Sequence, residues 1–149
     1  MKLIFVTLAL VTATSVLANN PAVFTGRYRT EHGETCMRDG ATRAYVTVST
    51  FAPGIRGVNI QYYSSEAVSL DIPAQSGRAP SQGASHLTDA ISVSWSNATT
   101  MNARIHTTGT SYNQRVDYTS TYTLSKRGNK LTVVEGSRNS TETCVLTRY

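Results

Sequence analysis

Acidic residues are scarce in this chain, nine Asp and Glu in 149 residues, and they stand isolated from one another. A two-carboxylate glycosidase centre therefore has nothing to build on. The three histidines, His32, His86 and His106, are far apart, with no close pairing to one another or to a carboxylate, so the spacing of a zinc site is missing. No Gly-x-Ser-x-Gly elbow positions a nucleophile, and no glycine-rich loop is laid out to cradle phosphates. These absences argue against an enzyme, a metal centre and a bound cofactor. Lysine and arginine total 14, yet they are scattered, with no runs interleaved with aromatics. That excludes the basic stripe of a nucleic-acid binder. Stretches rich in Ala, Leu, Glu and Lys are missing after residue 18, and no window keeps apolar spacing of three and four for three turns. No substantial helix is expected.

The N-terminus differs from the rest. Lys2 supplies a positive charge, residues 3–11 are apolar except for Thr7, and Val16-Leu17-Ala18 ends the segment with a small residue at the cleavage position and a tolerated one two before it. This is the three-part layout of a secretory signal. The apolar run is shorter than the roughly 20 residues of a membrane span. Residues 1–18 are therefore read as a signal peptide and 19–149 as one exported domain, periplasmic or extracellular. Loss of Lys2 leaves thirteen Lys and Arg against nine acids, a net charge of +4. Two cysteines remain, Cys36 and Cys144, and an even count behind a signal peptide implies an oxidising compartment and one intramolecular bridge.

What the mature chain has in quantity is alternation with a period of two, bounded by Gly, Asn, Pro and Ser. Over residues 112–125, Tyr112, Gln114, Val116, Tyr118, Ser120, Tyr122 and Leu124 share one face, with polar partners on the other. Lys126-Arg127-Gly128-Asn129 reads as a turn, and 130–135 returns with Leu131 and Val133 on the dry face, a hairpin. Similar alternation marks 23–30, 43–51, 55–62, 66–72, 90–96, 101–107 and 141–148. Residues 73–89 carry no strand pattern and read as a long connection, either a lid over one end of the domain or a surface loop. The expectation is all-β: an antiparallel meander of eight or nine strands, closed as a barrel, with a β-sandwich as the alternative. A closed meander makes its first and last strands neighbours, which suits a Cys36–Cys144 bridge.

The segment Phe24-Thr25-Gly26-Arg27-Tyr28, together with Arg148 near the C-terminus, resembles the lipocalin and calycin barrels. Their first strand carries Gly-x-Trp, and a C-terminal Arg packs on the aromatic ring. Tyr28 replaces the Trp here. The resemblance implies an up-and-down barrel and says nothing about a ligand.

Tyr28, Tyr112, Tyr118 and Tyr122, with Gln114 and Ser120 among them, fall on faces read as inward. A barrel filled only for stability would use aliphatic side chains, and buried tyrosine hydroxyls need partners. A face of Tyr, Gln and Ser suits a cavity for a small, partly polar ligand, with plain packing of the tyrosines as the competing explanation. The expected function is a non-catalytic exported binding protein for a small ligand or an envelope component. The alternatives are an interaction or inhibitor protein using outward Arg27 and Arg29, and an outer-membrane barrel with its apolar face toward lipid. The last is disfavoured by Gln114 and Ser120 on that face.

A Cys36–Cys144 bridge closes a loop of about 108 residues. The mature protein is expected to migrate faster on a non-reducing gel than after reduction. Cys144→Ser should lower unfolding stability by up to about 4 kcal/mol in urea titration.

Overall fold

In a computed structural model the described residues are 19–30, 40–63, 67–81 and 86–149. The expected signal peptide 1–18, His32 and Cys36 lie outside them. The described chain opens with a 3₁₀ helix, Pro21–Phe24, followed by ten strands: β1 Gly26–Thr30, β2 Arg43–Ala52, β3 Ile55–Tyr63, β4 Ala67–Pro73, β5 Gly77–Pro80, β6 Leu87–Asn97, β7 Thr100–Ser111, β8 Gln114–Arg127, β9 Lys130–Gly136 and β10 Thr141–Arg148. They form one antiparallel sheet in the order β4-β3-β2-β1-β10-β9-β8-β7-β6-β5.

Two differences from the sequence reading have local causes. The strand expected over 23–30 begins at Gly26, because Pro21 sits in the first helical turn and the Asn20 side chain caps it, accepting from the Ala22 N–H at 3.1 Å. The strandless connection expected over 73–89 contains β5, and β6 starts at Leu87 rather than at 90. Ten strands therefore replace the eight or nine expected.

The register explains the core. Residues directly opposite one another share a face, so Met101, Leu124, Val133 and Cys144 form one inward row across β7, β8, β9 and β10. Leu70, Ile60, Val46 and Gly26 form another across β4, β3, β2 and β1. Most of these side chains are fully buried. Each large aliphatic one contributes roughly 1.5–3 kcal/mol by leaving water. The 3₁₀ helix lies against strands far from β1 in the order. The Phe24 ring stacks on Trp95 of β6 with centroids 5.7 Å apart, and the Lys126 ammonium of β8 donates to the Val23 carbonyl at 2.8 Å.

A third row, Tyr62, Ala44, Tyr28 and Arg148, crosses from β3 to β10 and joins the chain's first strand to its last. Gly26 lies beside it with φ +154. A Cβ at that position would stand 3.0 Å from Arg148 Nε and 3.3 Å from the Tyr28 ring. The missing side chain thus makes room for a guanidinium beside a buried ring. Gly26→Ala must adopt a backbone conformation that L-residues avoid and push against both groups. It is expected to cost about 2 kcal/mol in chemical denaturation, with the loss reduced when Arg148 is also truncated to Ala.

Candidate functional site

The sheet order places β4 and β5 at its two ends, although they are consecutive in sequence. The connecting residues 74–76 hydrogen-bond to β3 and to β6, the strands next to the two ends. The Ala74 N–H donates to the Arg56 carbonyl at 2.8 Å, and the Gln75 side chain accepts from the Arg56 N–H at 2.9 Å. Ser76 Oγ accepts from the Val93 N–H at 2.8 Å, which extends the β5–β6 ladder by one residue. Toward the other end of β4 a cavity of about 240 Å³ opens between Ser69, Leu70 and Asp71 on one side and Ser81 on the other.

The cavity walls follow from strand register. Ala79, Asp89, Thr107 and Tyr118 lie opposite one another across β5 to β8, all pointing inward. The next inward row is Ile91, Ile105 and Ser120, and the next Val93, Ala103 and Tyr122. Asp89, Ile105, Thr107, Tyr118, Ser120 and Tyr122 line the cavity, and Phe51 of β2 completes it from across the interior. Asp89 is only 5% exposed. One carboxylate oxygen accepts from the Thr107 hydroxyl at 2.7 Å, a short charge-assisted bond. The walls combine apolar and aromatic surface with hydroxyls and the Asp89 carboxylate, the mixture expected of a site for a small ligand.

Of the five residues expected at a ligand site, the structure brings Tyr118 and Tyr122 to this cavity. Gln114 shares their face by register but lies exposed at the far end of β8. Tyr112 is not in the strand. With Asn113 it forms a two-residue turn in which both residues have positive φ, 48° and 60°, and it is 99% exposed. Tyr28 is fully buried at the β1–β10 junction, where its hydroxyl donates to the Phe24 carbonyl at 2.8 Å. Asp89 and Thr107 were not singled out by the alternation, because a polar residue on a dry face interrupts the very pattern that locates strands. The interleaving of Asp89 with Ile91, Val93 and Trp95 was the available signal.

A second, larger hollow of about 480 Å³ lies on β1, β2 and β3, lined by Arg27, Arg43, Ala44, Tyr45, Tyr63 and Tyr149. The histidines described contribute to neither hollow. His86 lies just before β6, and His106 pairs with Asp117 on the outer face at 2.9 Å. The hydrogen bond from His106 holds the Asp117 carboxyl below its usual range. Both partners are about half exposed, so the pair adds little stability. No known protein family matches this chain, and no curated protein resembles it in sequence.

Burial pushes the Tyr28 hydroxyl above the usual tyrosine value of 10.0, with the Arg148 guanidinium pulling partly the other way. A group that holds its proton more tightly when folded gives its full stabilisation below the unfolded value and loses it as pH rises toward the folded one. Tyr28→Phe is expected to cost about 1 kcal/mol at neutral pH through the lost hydrogen bond. It should also flatten the decline in stability above pH 10.0, read by urea denaturation of both proteins on either side of that pH.

Proposed function

We propose that this chain is an exported, non-catalytic β-barrel of the calycin type that holds a small, partly apolar ligand in the cavity beside β8. The observation that carries this reading is the inward wall of Asp89, Thr107, Tyr118, Ser120 and Tyr122 around about 240 Å³ of space. Aliphatic packing would have filled that space had stability been the only demand. A volume slightly below the usual range for drug-sized ligands favours a compact molecule. The barrel reading is supported by the β1–β10 pairing, which carries the meander across the two chain ends, and by the approach of Gly26, Tyr28 and Arg148. That trio matches the calycin motif residue by residue, except that Tyr28 stands where the family has Trp. In this reading the barrel wall has one seam, between β4 and β5, fastened at residues 74–76 and parted beside Leu70, and the ligand reaches the interior through it.

The outward rows weigh against a membrane-embedded barrel. Arg104 faces Thr121 and His106 faces Thr119 there, where a lipid-facing band would be apolar. A second reading, an interaction protein, draws on the larger hollow, where Arg27, Arg43, Tyr45, Tyr63 and Tyr149 offer exposed cationic and aromatic surface.

Ser120→Phe should fill the cavity while leaving the strand intact. In a screen of single-ring compounds by thermal shift and calorimetry, the mature protein is expected to be stabilised by at least one. A ligand at about a hundred times its dissociation constant adds roughly 2.7 kcal/mol. The variant should lose that response. Absence of any response across the screen, or an unchanged response in Ser120→Phe, would sink the proposal.

A further inference from the structure

The charge of the cavity is opposite to that of the chain. Lysines and arginines outnumber acids 14 to 9 over the sequence. The cavity wall nevertheless presents the inward carboxylate of Asp89 and, among the described residues, no Lys, Arg or His. Asp71 borders the mouth, but its neighbours Leu70 and Ile72 are the inward residues of β4, and its carboxylate accepts from the Asn59 amide at 2.9 Å on the other face. Asp89 is deeper and 95% withdrawn from solvent. One of its oxygens takes the Thr107 hydroxyl. Asp89 itself is among the residues that line the cavity. The ion pairs seen among the described residues, His106 and Arg115 with Asp117, are on the outer surface and do not reach it.

A buried carboxylate is costly unless a charge or several donors compensate it. Among the described residues, the Thr107 hydroxyl is the donor seen on Asp89. Phe51, Tyr118 and Tyr122 stand around the same space, and aromatic faces attract cations. Resting on the ligand-binding reading above, we propose that the cavity takes a small organic cation. Its ammonium group pairs with Asp89, and a body of about one ring lies among Phe51, Tyr118 and Tyr122. The low-dielectric surroundings strengthen the charge pair relative to water, and the same carboxylate repels an anion of equal shape.

Three probes with the same aromatic body separate charge from shape: phenethylamine, 2-phenylethanol and 3-phenylpropionate, titrated calorimetrically into the mature protein at pH 7 and low salt. The amine should bind about tenfold or more tighter than the alcohol, and the acid should not bind. Asp89→Asn keeps an acceptor for the Thr107 hydroxyl. It should weaken the amine by about tenfold or more while leaving the alcohol unchanged, with folding checked by circular dichroism. Equal affinity for amine and alcohol in the unmodified protein overturns the cation proposal and leaves the cavity reading standing, and this comparison decides even if Asp89→Asn fails to fold. Amine binding that Asp89→Asn leaves intact overturns it as well. Failure of all three probes counts against the cavity itself.

Discussion

The pairing of β1 with β10 joins what would otherwise be two separate meanders. Strands β1 to β4 form one, β5 to β10 the other, and the ladder between them has three residue pairs: Tyr28 with Arg148, Arg29 with Thr147, and Thr30 with Leu146. One backbone bond just outside the ladder lengthens it, from the Tyr149 N–H to the Arg27 carbonyl. So short a ladder depends on its inner face. Tyr28 fills that face, its hydroxyl satisfied by the Phe24 carbonyl, and Gly26 lets the Arg148 guanidinium lie close. The contact also joins Tyr28 to Arg148, residues far apart in sequence. Its loop-closure entropy must be met before the long rows across the sheet can form, which places it among the slow steps of folding.

Packing on the inner face is uneven, and the unevenness locates the candidate site. One large cluster gathers Phe24, Tyr28, Val46, Ile60, Ile72, Met101, Leu124, Leu131 and Leu146. A smaller one holds Phe51, Ile55, Ala79, Ile91 and Ile105. The hydroxyls and the Asp89 carboxylate of the cavity lie beside the smaller cluster, away from the fully buried end. Close packing is thus concentrated at the β1–β10 junction, and chemical variety beside the Asp89–Thr107 pair. An internal polar group is tolerable only when satisfied. Thr107 and Asp89, opposite one another by register, satisfy each other across a single pair of strands.

Most of this was legible in the sequence because strands with one wet face announce themselves by alternation. Leu131 and Val133, Val46 and Val48, and Met101, Ala103 and Ile105 located β9, β2 and β7 close to where they lie. Legibility failed where the side chains did not divide into wet and dry. Strand β5, Gly77-Arg78-Ala79-Pro80, has one buried apolar side chain, Ala79, and two turn-forming residues, so it resembled a loop. Asp89 was lost for the converse reason, being polar where the pattern demanded apolar. Tyr112 continued the alternation of β8 by two residues, but its neighbour Asn113 and the tight reversal to Ser111 gave those positions to a turn. Periodicity reports which face a residue shares. It does not report how deep along the interior the residue sits, and that depth separates Tyr118 and Tyr122 from Tyr28.

A sheet of ten strands ordinarily has two free edges, each a row of unpaired backbone groups able to recruit another chain. Here those edges belong to β4 and β5, which are separated by three residues of sequence. Each terminates in proline, Pro73 and Pro80, which has no N–H to offer. A second copy seeking to extend the sheet would thus find a donor missing at the end of either edge strand, and recruitment of another chain is disfavoured at both.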